Sequence, residues 1–140
     1  MTAAVAAGWA VDTSVAIPAL DSSHAAHEAC RRIAQLRRPS LAGHAAFETF
    51  SVLTRLYGPL NIGAPTASAA MAMAFPERSW LTPKQQTQLH ERMGAIGITG
   101  GMVYDALVGE AARQAGRTLL TRDARASRTY DLLGVRYELL

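Results

Sequence analysis

Cysteine is almost absent: Cys30 is the single one in 140 residues. One thiol excludes an internal disulfide and a zinc site built from several cysteines, and it suits a reducing compartment. Cys30 stands at helical spacing from Ala26 and Ile33, so it is expected to be a small buried hydrophobe. Lysine is equally scarce, with Lys84 alone, so arginine carries the positive charge. Arginine's planar fork suits phosphate, yet arginine together with abundant alanine also reflects genomic composition. Long hydrophobic runs are missing. The nearest, IGAPTASAAMAMAF, is too short to span a bilayer and contains proline. The first twenty residues lack a basic leading segment and are interrupted by Asp12, which argues against a signal peptide. A soluble, cytoplasmic protein without membrane attachment is expected. No P-loop, no dinucleotide fingerprint and no nucleophile elbow is present, which removes three common enzyme classes.

What is present describes an ordinary folded domain. A hydrophobic fraction of 49% against 18% charged residues is too apolar for a disordered chain. The length suits one domain over residues 1–140 with a single core. A net charge of +3 permits a polyanionic partner without requiring one.

Short apolar strands alternate with amphipathic helices, the pattern of a mainly parallel central sheet covered on both faces by helices. The first strand is expected over Gly8 to Thr13, followed by a helical stretch HAAHEACRRIAQL that ends before Pro39. The extended piece SLAGH leads into AAFETFSVLTRLY, where Phe47, Phe50, Leu53, Leu56 and Tyr57 recur at three- and four-residue steps. Gly58 and Pro59 stop that helix. Pro65 opens a helix TASAAMAMAF, and Arg78 to Leu81 form a short strand. Thr82 caps the next helix, with Pro83 at its first position. Gly100 and Gly101 precede the helix MVYDALVGEAARQA, which stops at Gly116. The strand RTLLT, the loop RDARA, a helix from Ser127 to Leu133 and a closing strand VRYELL complete the chain.

Four acids fall at element ends on this map. Asp12 ends the first strand, Asp123 lies just past RTLLT, and Glu48 and Asp105 sit in the first turn or so of their helices. In open parallel sheets ligands bind beyond the carboxyl ends of the strands, so the four can converge on one space. Each also has a plainer reading: a helix cap for Asp12, dipole complements for Glu48 and Asp105, a turn residue for Asp123. The joint placement favours convergence, since Asp12 and Asp105 are flanked by apolar or small residues. Two carboxylates about 4 Å apart repel by roughly 4 kcal/mol at an effective dielectric near 20. Four together call for a cation, and a hard divalent ion with oxygen ligands, Mg²⁺ or Mn²⁺, is the natural one. Glu28, Glu77, Glu91, Glu110, Asp131 and Glu138 are read as acids on solvated faces, and His24 and His27 as surface residues.

The segments VDTSV, GHAAFETFSVLTRL, GITGGMVYDALVGEAAR, and LLTRD with the closing TYDLLGVRYELL occur in the order and at the spacing of the PIN domain. The chain resembles that family over nearly its full length, and most closely the VapC-type toxin ribonucleases of bacterial toxin–antitoxin pairs. One departure is Tyr57 in RLYGP, where close relatives tend to have proline. The resemblance implies a three-layer PIN-like α/β fold and Mg²⁺-dependent endoribonuclease activity, with Mn²⁺ as the other suitable ion. It carries the family's acidic residues onto Asp12, Glu48, Asp105 and Asp123, with Thr13 (or Ser14) and Thr121 as hydroxyls orienting the carboxylates. It also implies an RNA substrate, a VapB-type antitoxin whose tail fills the groove, and a homodimer, with contacts from the helices around Leu53 and Met71 to Phe75 unless these face the core. Arg113, Arg117, Arg122, Arg125 and Arg128, clustered near Asp123, are candidates for the RNA backbone. One rival is a catalytically silent module that binds antitoxin or RNA. A receiver-like phosphoacceptor is another, but it wants a paired acid at the first strand and a lysine near the last.

Overall fold

Asp12 breaks the first apolar run by turning it into a helix. In the computed structural model, which describes residues 8–55 and 63–140, β1 is only Trp9–Val11, and α1 (Thr13–Leu20) starts directly behind Asp12. The Asp12 carboxylate accepts from the Ser14 N–H and so satisfies one of the orphan donors of the first turn. This helix was absent from the sequence reading, which ran the strand to Thr13. Its residues TSVAIPAL are apolar all round and include Pro18, so no helical stripe is visible. Pro18 has no N–H to give the Ser14 carbonyl, and that carbonyl instead accepts from the Arg122 guanidinium at 3.4 Å.

The remaining elements follow the expected order: α2 (His27–Arg37), β2 (Ser40–Ala42), α3 (Ala45–Arg55), α4 (Ala64–Ala74), β3 (Arg78–Ser79), α5 (Pro83–Ile96), α6 (Met102–Gln114), β4 (Thr118–Thr121), α7 (Ala126–Leu133) and β5 (Tyr137–Leu139). The start of α5 is as read, with Thr82 and Gln85 forming a reciprocal capping box ahead of Pro83. Gly134, at φ 74°, ends α7 in the left-handed conformation and sends the chain into β5. Leu56, Tyr57, Gly58 and Pro59, expected to finish α3 and stop it, lie outside the described residues.

The five strands form one all-parallel sheet in the order β3-β2-β1-β4-β5. Parallel neighbours need crossover helices, which cover the faces and leave the central strands buried. Ala10, Val11, Leu41, Leu119 and Leu120 are all fully buried. Much of the rest of the core is alanine, at positions 16, 45, 67, 106 and 112, so helices lie close to the sheet. Cys30 is buried as expected, and Leu53, Met71 and Phe75 face the core. Phe47 does not: it is 63% exposed, although its spacing matched the buried stripe of α3.

Candidate active site

The strand order contains a switch point. From β1 the chain steps outward to β2 and β3 on one side, while β4 and β5 extend the sheet on the other. Crossovers leaving in opposite directions open a crevice at the carboxyl ends of β1 and β4. Asp12 directly follows β1, and Asp123 comes two residues after β4. Glu48 and Asp105 lie in the first turns of α3 and α6, and α6 packs on both β2 and β4.

Asp12 is 4% exposed, and both of its oxygens accept hydrogen bonds. Its Oδ1 accepts from the Ser14 N–H at 3.0 Å and the Ser14 hydroxyl at 2.5 Å, and its Oδ2 accepts from the Tyr130 hydroxyl at 2.8 Å. Burial pushes this carboxyl up, and the bonds from Ser14, Thr121 and Tyr130 oppose the shift. The Tyr130 phenol is itself pushed far up by burial and by the Asp12 charge, so it remains a donor. Ser14 Oγ also accepts from the Arg122 N–H at 2.7 Å and lies 3.3 Å from Thr121 Oγ1. Thr121 Oγ1 in turn accepts from the Asp123 N–H at 3.0 Å. Asp123 Oδ1 receives the N–H groups of Arg125 and Ala126 at the start of α7, at 2.9 and 3.3 Å. One chain of hydrogen bonds therefore runs from Asp12 through Ser14 and Thr121 to Asp123.

The other two acids form a cup with Asp123, whose lining does not include the buried Asp12. Glu48, Asp105 and Asp123 line a cavity of about 450 Å³ together with Tyr104, Arg125, Arg128 and Thr129. The Glu48 carboxyl is pushed up by burial and then by the charges of Asp105 and Asp12. Asp105 is pushed up by burial, by Asp123 and by Asp12, with Arg125 partly offsetting this. Glu48 and Asp105 thus feel the negative charge of acids from distant parts of the chain. Among the described residues no three His, Cys, Asp or Glu side chains stand close enough together to hold a metal ion as they are. The donor set nevertheless fits a hard divalent cation. It is all carboxylate oxygen, it carries negative charge that Arg125 only partly offsets, and Mg²⁺ retains several waters and needs only a few direct protein ligands.

The second-rank candidates divide. Thr121 is in the network, whereas Ser14 and not Thr13 supplies the hydroxyl on Asp12, because the N-cap geometry aims the second residue of the helix back at the cap. Arg125 and Arg128 line the cup, and Arg125 is 96% exposed with its Nε 4.0 Å from Asp123. Arg122 meets the Ser14 carbonyl. Arg113 and Arg117 are not brought to the cup. Arg113 grips both oxygens of Glu110 at 2.7 and 2.8 Å, and Arg117 binds Glu77 and the Trp9 carbonyl. Glu110, read as a solvated acid, is 1% exposed and also takes Gln114 Nε2 at 3.0 Å; donors at i+3 and i+4 make its burial tolerable. His24 and His27 are part-buried in local bonds, His27 Nδ1 lying 2.8 Å from the Pro18 carbonyl oxygen.

Tyr130 was missed. Its signal is the spacing of Ala126, Tyr130 and Leu133 on one face of α7, all buried, since a tyrosine on a core face needs a partner for its hydroxyl. Gly109 admits it: a Cβ there would lie 2.8 Å from Tyr130 Cδ1.

The PIN domain family model matches residues 10–132. Ribonuclease VapC27 of Mycobacterium tuberculosis is 44% identical over 90% of this chain and 92% of its own length. Ribonuclease VapC40 of the same species is 43% identical over 94% of this chain and 98% of its own. Among solved structures, M. tuberculosis VapC20, a toxin cleaving the sarcin–ricin loop, superposes with a TM-score of 0.64 at 21% identity, covering 86% of this chain and 93% of that one. VapBC2 from Rickettsia felis, bound to a DNA fragment from its promoter, gives 0.63 at 12% identity over 94% and 98%. The structural likenesses bear on the fold.

Proposed function

The chain belongs to the PIN domain family, and from that premise we propose that it is the endoribonuclease toxin of a VapBC-type toxin–antitoxin pair, hydrolysing RNA phosphodiester bonds with a divalent cation, Mg²⁺ or Mn²⁺. The observation carrying this reading is the gathering of acids at the switch point: Glu48, Asp105 and Asp123 line one cavity, and Glu48 and Asp105 are each raised by burial and then by acids from other elements. A phosphodiester is anionic and would be repelled by such a cup unless a cation reversed its charge.

Asp12, Asp105 and Asp123 would hold the cation directly or through water, with Glu48 as a further ligand or as the group that positions the attacking water. Bound there, the cation supplies a water of lowered pKa and relief of charge on the leaving oxygen. The protein's own part is positioning. Tyr130 and Ser14 fix both oxygens of Asp12, so its remaining lone pairs are aimed before substrate arrives. Thr121 anchors the Asp123 backbone N–H, and the first turn of α7 holds its Oδ1. Arg125 and Arg128, on the rim of the cup, contact the RNA backbone and make binding salt-dependent without reading sequence. A VapB-type antitoxin, occupying the same groove, and self-association to a homodimer complete the assignment.

The test is cleavage of RNA by purified protein with Mg²⁺ and with EDTA. Metal-dependent cleavage is expected, lost in Asp12→Asn and in Asp105→Asn. Either variant cutting as fast as wild type refutes the site, and no metal-dependent cleavage of any RNA favours a silent binding module.

A further inference from the structure

Aromatic residues are few, two Trp, four Tyr and three Phe, yet three of them are displayed on the surface in one place. Phe47 is 63% exposed, Tyr104 52% and Trp80 51%. They come from α3, α6 and the segment after β3, and His44 joins them into a continuous row. Tyr104 stacks on His44 with centroids 5.3 Å apart and planes at 22°. His44 meets Phe47 at 6.1 Å, and Phe47 meets Trp80 at 5.5 Å. Burial pushes the His44 imidazole down, which keeps it an uncharged ring at neutral pH.

The row begins at the acids. Phe47 precedes Glu48 and Tyr104 precedes Asp105 in the chain, and Tyr104 lines the acidic cavity itself. From that cavity a second depression of about 350 Å³ shares Glu48 and is bounded by His44, Phe47 and Arg55. A third, of about 140 Å³, shares His44 and Phe47 and adds Trp80 and Gln86. Three hollows with common walls make a track from the carboxylates to Trp80. A purely apolar contact would not place a histidine, an arginine and a glutamine beside the rings. Unpaired bases match the mixture: they stack on aromatic faces and hydrogen-bond at their edges.

We propose that Tyr104, His44, Phe47 and Trp80 form a stacking track for unpaired bases of the RNA flanking the bond to be cut. The proposal rests on the nuclease reading of the adjacent cup. Duplex is rejected because its bases are already stacked and cannot reach the rings.

The experiment measures binding of short fluorescently labelled oligoribonucleotides by anisotropy in Ca²⁺, a hard cation that neutralises the cup. Three probes are compared: an unpaired strand, the same strand with its bases replaced by abasic units, and its duplex. Wild type is expected to bind the unpaired strand at least about 5-fold more tightly than the other two, the lower end of one base–aromatic stack. Phe47→Ala and Trp80→Ala should lower affinity for the unpaired strand to the abasic level. Leu36→Ala, exposed on α2 and outside the track, should change nothing. Equal binding of all three probes, unaltered binding by both variants, or no binding by wild type overturns the proposal. So does a change of oligomeric state on sedimentation without a change in base dependence, which would make the row a contact between copies of the chain. Mg²⁺-dependent cleavage by wild type is scored separately, so a failed track leaves the nuclease reading standing and a failed nuclease is seen directly.

Discussion

Replacing Tyr130 by phenylalanine removes one oxygen and leaves the ring packed against Gly109. The lost group donates to Asp12 Oδ2 at 2.8 Å inside the core. Its worth depends on the charge it meets: about 1.5–3 kcal/mol to an ionised partner, but only about 1 kcal/mol to a neutral one. Burial has raised the folded pKa of Asp12 above its unfolded value. The folded state therefore holds this proton longer, and without metal its stability falls as pH rises through the window between the two values. Tyr130→Phe deletes a donor that favours the ionised form, which lifts the folded value further and widens that window. The loss should thus be about 2 kcal/mol on the alkaline side of the raised Asp12 pKa and about 1 kcal/mol or less on its acid side. At roughly 4 °C per kcal/mol for a chain of this size, the alkaline loss is a drop of about 8 °C in Tm. Denaturant titration of both proteins in EDTA at one pH on each side of that pKa measures it. An equal loss at both, or none at the higher, would mean that the hydroxyl does not serve the Asp12 charge.

Asp105→Asn removes a carboxylate pushed up by burial and by two negative neighbours. In EDTA its Tm should exceed that of wild type above the raised pKa, and the gain should shrink as pH falls and wild-type Asp105 is protonated, as followed by thermal melts across pH. Gly109→Ala puts a Cβ 2.8 Å from Tyr130 Cδ1; overpacking of about 1–3 kcal/mol is expected, and it should slow cleavage as well, because the ring carries the hydroxyl that holds Asp12. Thr49→Val should stabilise by about 1 kcal/mol, since the Thr49 hydroxyl is buried and meets no partner among the described residues; a lower Tm would show that the hydroxyl is used.

Hydrophobic period and turn chemistry made most elements legible in advance. The stretch Thr82–Gln85 announces a helix start on its own, and Gly134 announces a stop. The helix α1 was illegible because apolar residues continue past its buried face, at Ile17 and Leu20, and its proline imitates a breaker. Phe47 shows the reverse failure: a ring at core spacing that the packing leaves in solvent. Spacing reports which face a side chain occupies, and only the neighbouring elements decide whether that face is covered.

The same division holds at the site. Four acids at element ends, in a parallel α/β pattern, follow from residue types and order alone, because the carboxyl ends of such strands share one edge. The partners of those acids do not. Tyr130 on Asp12 and the diversion of Arg117 to Glu77 depend on side chains meeting across the fold, whereas Ser14 on Asp12 and Arg113 on Glu110 are local pairs, two and three residues apart, whose helix starts and faces are set by the packing. Sequence alone determined where charge was placed along the chain. Tertiary structure decided which charges are neutralised locally and which are left facing one another, because burial and distance, the two quantities that set their energies, exist only once the elements have packed.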